Sequence, residues 1–179
     1  PADESVPRAS FEPGTSILDA LRALVPPHRL DHHYRSLDER LIGFSNAAFY
    51  GGELATIPAP PADDPALTLE IIEGHGVVDP ESATIESTRA EVDAVVPLVL
   101  DHARHRPHES LAVLTLGMPH AARLEEALRH TVADLPEEVA AFFDPDALEP
   151  FVIKPVERAQ GEHWDAVIFS VGYGKTAHG

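Results

Sequence analysis

Two places in this chain carry residue types suited to chemistry on an anion. One is Arg35, in the run Tyr34-Arg35-Ser36; the other is the pair Gln160-Gly161, ahead of an apolar run beginning at Ala166. Arginine offers a planar guanidinium that stays charged and can meet a phosphate through parallel hydrogen bonds. A glycine lets the backbone approach a ligand closely, and a glutamine amide can bridge a phosphate or a sugar. Each has a plainer alternative. Arg35 can solvate a surface or pair with Asp38 or Glu39, and Gln160-Gly161 can be an ordinary turn into a strand. Gly172-Tyr173-Gly174-Lys175-Thr176 ends like a phosphate-binding loop, but the first glycine of that pattern would fall on Phe169, so no such loop is expected.

The eleven histidines include His102, His105 and His108, and a group of His28, His32 and His33 around Asp31. Spacing without a defined geometry and second shell does not make a metal site. His102 and His105 fall near the end of a predicted helix, where imidazoles favour the negative end of the dipole. No metal is expected. The chain has no cysteine and no serine in a G-x-S-x-G elbow, so nucleophilic catalysis is not expected either.

The elements that must position these residues alternate between strand and helix. Residues 1–14 read as a tail. Thr15 or Ser16 can cap a short helix with Ile17, Leu18, Leu21 and Leu24 on one face, and residues 29–34 read as a strand. Ser36 and Glu39 fit a capping box opening a helix whose face carries Leu37, Leu41, Phe44, Ser45 and Ala48, ended by Gly51-Gly52. Residues 67–72 read as a buried strand and 73–87 as a loop. Thr88 and Glu91 fit a second capping box, before a helix burying Val92, Val95, Val96, Val99 and Ala103 and containing Pro97. Residues 110–116 read as a strand, and Pro119 starts a helix with Ala121, Leu124, Leu128 and Val132 on one face. A further helical turn over 136–143 and strands at 151–153 and 166–171 complete the pattern. Alternation of this kind predicts an α/β fold with a mostly parallel sheet covered on both faces.

With 179 residues and 44% hydrophobic content, the chain suits one folded domain. No apolar run approaches the ~20 residues that span a bilayer, and the start lacks the basic and apolar regions of a secretory signal. The expected setting is cytoplasmic, without a membrane partner. Thirteen Lys plus Arg against thirty Asp plus Glu give a net charge of -17, and only Lys154 and Lys175 are lysines. Phosphate contacts supply most nonspecific nucleic-acid affinity, so the isolated chain is expected to bind nucleic acid weakly.

Residues 30–54 read L-x-x-x-Y-R-S, seven residues, F-S-N-x-x-F-Y-x-x-x-L. This resembles motif IV and its following helix in superfamily 1 helicases, in the branch of the nonsense-mediated-decay helicase and of large bacterial helicase-related proteins. Residues 156–174 resemble motif V of the same group. The resemblance implies a RecA-like three-layer sandwich: a single C-terminal motor lobe over residues 15–179, cut before the arginine-rich motif VI expected after Gly179. It implies that Arg35 is an arginine finger reaching the γ-phosphate of ATP, with Tyr34 beside the nucleotide and Gln160 and Gly161 contacting it. His163 stands where the family places the glutamate that holds the ribose, and Arg158 where asparagine is common. Thr115 and His120 match positions that touch nucleic acid. The implied partners are the first RecA-like lobe of the same parent chain, which would hold most of ATP and Mg2+, and single-stranded nucleic acid. Alone, the chain is expected to be inactive as a hydrolase or helicase. The alternative is an acidic protein-interaction module that kept the fold and lost the motor.

Overall fold

The computed structural model describes residues 16–22, 24–36, 38–59, 65–78, 85–86 and 89–175. The expected tail over 1–14, and Thr15, Leu37, Thr88 and Thr176, lie outside these residues. The chain divides into two compact units, Pro1–Leu69 and Glu70–Gly179.

In the first unit, α1 spans Ile17–Arg22. Ser16 caps it: the hydroxyl accepts the Asp19 N–H at 3.1 Å and donates to Asp19 Oδ2 at 2.7 Å. Strand β1 (His32–His33), helix α2 (Arg40–Phe49) and strand β2 (Ala55–Thr56) form a small βαβ crossover, with β1 and β2 parallel. The capping box expected at Ser36 and Glu39 does not form. Ser36 Oγ pairs with His33 Nε2 at 2.8 Å, and Glu39 accepts the Thr56 hydroxyl at 3.0 Å. Asp38 does the work instead, accepting the Arg40 N–H at 2.8 Å, because its shorter side chain sits next to the first free donor of α2. Gly51 and Gly52 end α2 with φ of 65° and 75°, and the Gly52 N–H folds back to the Asn46 carbonyl at 2.9 Å. The Asn46 amide then holds both backbone groups of Leu54, each at 3.0 Å, which leads the chain into β2. None of the described residues of this unit is fully buried; Phe44 and Phe49 meet edge-to-face, about three-quarters exposed.

In the second unit β3 (Val77–Val78) and β4 (Ile85–Glu86) pair antiparallel, within the segment expected to be loop. Then follow α3 (Arg89–His105), β5 (Leu111–Thr115), α4 (Met118–Val132), α5 (Glu137–Ala140), β6 (Val152–Pro155) and β7 (Ala166–Ser170). Helix α3 runs through Pro97, which lies on its exposed side. Strands β6, β5 and β7, in that order, make an all-parallel sheet. Its register sets Val113 between Ile153 and Ile168, and these three join Leu111 and Ala166 against Val92, Val95 and Val99 of α3 and Leu124 and Leu128 of α4. Phe142, Phe143 and Phe151 close one side of this core through ring contacts of 5.4 to 6.1 Å. Asp165 ties the starts of β5 and β7: its carboxylate accepts the Ser110 N–H and hydroxyl at 2.8 and 2.9 Å.

The result is a mixed α/β chain, as the alternation of elements predicted, but in place of one mostly parallel sheet the described strands form three small ones, two parallel and one antiparallel. The strand expected over 67–72 is absent: Leu67, Leu69 and Ile71 are 66%, 86% and 81% exposed. An apolar alternation becomes a strand only where a neighbour supplies ladder bonds, and no described strand pairs with it. Among the described residues no helix is long and apolar enough to cross a membrane.

Candidate functional site

In an open parallel sheet, the carboxyl ends of the strands are where ligands bind. At that edge of the β6-β5-β7 sheet lies a compact polar cluster. Ser170, the last residue of β7, donates its hydroxyl to Glu91 Oε1 at 2.6 Å. The Gly172 N–H donates to the same oxygen at 2.9 Å. His120, in the first turn of α4, meets Ser170 Oγ through Nε2 at 2.7 Å, with Glu91 Oε1 3.7 Å away. Since the single serine proton goes to the carboxylate, Nε2 must carry the proton of the other bond. Nδ1 is then the acceptor nitrogen, and it is buried without a hydrogen-bond partner among the described residues.

This cluster joins the start of α3, the start of α4 and the end of β7. Gly172 is required by its geometry: φ is 70°, and a methyl group there would fall 2.5 Å from the His120 ring. Burial pushes the His120 imidazole below its ordinary value; the Glu91 carboxylate opposes that and Arg123 adds to it. The neutral form is thus favoured. Although serine, histidine and glutamate meet, the carboxylate holds the serine rather than the far side of the imidazole, and Ser170 is 3% exposed. That connectivity does not make an activated nucleophile.

Thr115 and His120 therefore both lie at this edge, but turned inward. Thr115 is fully buried, its hydroxyl donating to the Gly117 carbonyl at 2.9 Å, and His120 is 5% exposed. The surface beside them is made by Leu116, Met118 and Tyr173, at 38%, 50% and 61% exposure.

In the same unit a 3-10 turn over Val156–Arg158 leaves β6 and leads to Gln160 and Gly161, which are exposed. Gly161 has φ of 87° and open space where a Cβ would stand. Glu162 is engaged with Lys154 at 2.7 Å, and Lys154 lies 5.5 Å from the Trp164 ring centre. Gly161, Glu162, exposed His163 and Trp164 line a shallow depression of about 440 Å³ with Ser110 and Val152.

Arg35 belongs to the first unit, two residues after β1, and is exposed, as is Tyr34 at 77%. Three other described arginines there are paired: Arg22 with Asp19, Arg29 with Glu53 and Arg40 with Asp38. Arg35 forms no ion pair with any described residue, so the pairing with Asp38 or Glu39 that its sequence allowed is not made.

The histidine groups take local partners. His102 is a core residue whose Nε2 donates to the Glu109 carbonyl at 3.0 Å, His105 pairs with Asp101, and His32 with Asp31, whose carboxyl that hydrogen bond holds below its usual range. Among the described residues no group of three or more His, Asp and Glu is placed to hold a metal ion.

Sequence reasoning missed Glu91 and Ser170. Glu91 fitted a helix cap, which masked its other role. The available signal was Ser170 itself, a hydroxyl closing an apolar strand two residues before a glycine. Comparison of the chain with protein-family models, curated proteins and solved structures finds no match.

Proposed function

We propose that this chain is the C-terminal, RecA-like motor lobe of an ATP-dependent superfamily 1 helicase or translocase. It supplies an arginine finger to ATP and Mg2+ held mainly by the first lobe of the parent chain. One observation carries the reading: Arg35 is exposed at the end of a parallel strand and free of described carboxylates, while Arg22, Arg29 and Arg40 are all neutralised. An unpaired guanidinium fits a phosphate that arrives with the other lobe, where it stabilises charge developing during phosphoryl transfer. Tyr34 is its neighbour in the chain; in the other unit Gln160 and Gly161, which the resemblance assigns to the nucleotide, are exposed. The single-stranded nucleic acid runs past the edge marked by Thr115 and His120.

The test is Arg35→Ala in the parent protein. Nucleic-acid-stimulated ATP turnover falls by ~10³ to 10⁵-fold, with an unchanged circular dichroism spectrum. Normal turnover removes Arg35 from the active site. His163 at the ribose-binding position and the charge of -17 favour a second reading, an acidic interaction module without motor activity. On that reading the parent has no turnover for Arg35→Ala to lose.

A further inference from the structure

The loop that resembled a phosphate-binding loop is fastened at both ends. At one end the Gly172 N–H is held by the Glu91 carboxylate; at the other the Lys175 carbonyl accepts the Gly76 N–H at 3.1 Å. Between them Tyr173 leans on the start of α4: a methyl group on Gly117 would lie 3.3 Å from the tyrosine hydroxyl. Yet the residue stays 61% exposed, beside half-exposed Met118 and with exposed Lys175 two residues on. An exposed aromatic ring on a fastened backbone, with an exposed lysine two residues along the chain, is the kind of arrangement on which a nucleobase stacks while its phosphate meets the charge.

We infer that Tyr173 is a stacking platform for one base of single-stranded nucleic acid, with Lys175 on the adjoining phosphate and Glu91 as the positioning residue that fixes the loop. This rests on the motor-lobe reading for its partner and names the contact that buried Thr115 and His120 do not make with their side chains. Because the chain is strongly acidic, stacking supplies most of the affinity, and the salt dependence is that of about one phosphate, a slope near -0.7 in log affinity against log salt.

The experiment titrates the 179-residue chain with a fluorescein-labelled oligothymidylate at low ionic strength. Tyr173→Ala weakens binding about tenfold and leaves the salt slope alone, Tyr173→Phe retains the affinity, and Lys175→Ala flattens the slope. Glu91→Gln weakens binding in the direction of Tyr173→Ala. The surface substitutions at Tyr173 and Lys175 decide the matter should Glu91→Gln unfold the chain. Absence of oligonucleotide binding by the unsubstituted chain, equal binding by Tyr173→Ala, or capture of an apolar peptide in place of the oligonucleotide overturns the proposal. The oligonucleotide titration contains no ATP and the Arg35→Ala test reads ATP turnover, so the platform and the arginine finger fail separately.

Discussion

At the scale of single residues, His120 shows how one buried polar group sets a condition on the fold. Burial moves the titration of its imidazole below the ordinary value of 6.5 in the folded chain, outweighing the attraction of Glu91. In the unfolded chain it takes up a proton below the ordinary value of 6.5. The unfolded state thus binds more protons, and stability falls as pH drops from about 6.5 toward the lower folded value; above 6.5 the contribution is fully present. Denaturant unfolding from pH 8 to pH 5 is expected to show this decline, and a His120→Gln chain a flatter profile. Identical profiles would contradict a neutral, buried imidazole. Arg35 and His120 were both visible in the sequence as residue types. Their surroundings were not, because exposure and partner choice depend on atoms far along the chain: Glu91 lies 79 residues from Ser170.

The elements divide by how much of their stability is local. Helices α3 and α4 and strands β5 and β7 were legible because their apolar residues repeat with the right period and find one shared core. Their packing predicts a strong response: Leu124, fully buried between α4 and the sheet, changed to Ala costs roughly 2 to 5 kcal/mol in chemical denaturation. A loss under 1 kcal/mol would mean the core is loosely packed. The strand expected over 67–72 had equally apolar residues and failed, since ladder partners are not written in a segment's own sequence. Likewise Ser36 and Glu39 fitted a capping pattern, yet His33 and Thr56 engaged them first. Exposed Gln160 and Gly161 precede the strand β7, where the sequence placed them, and Glu162 is already committed to Lys154.

For the molecule as a whole, burial is unevenly shared. Every fully buried residue among those described lies in Glu70–Gly179, and none in Pro1–Leu69. Local opening is easiest where few apolar contacts must break. Limited proteolysis is therefore expected to cut within residues 1–69 first and to leave a resistant core containing α3, α4 and the β6-β5-β7 sheet, read by mass spectrometry. Early cleavage inside α3 or α4 would refute this ordering. The acidic composition, visible from the first, gives the chain a net charge of -17, so copies of it repel one another.

The three-stranded sheet also has two unlike flanks. On the β6 side Pro155 offers no N–H and the Lys154–Glu162 ion pair brings charged groups, both of which discourage a newcomer. The β7 side carries neither, and alternates half-exposed Val167 and Phe169 with inward residues. Growth of the ladder therefore has a preferred direction: an added strand would meet fewer obstacles beyond β7 than beyond β6.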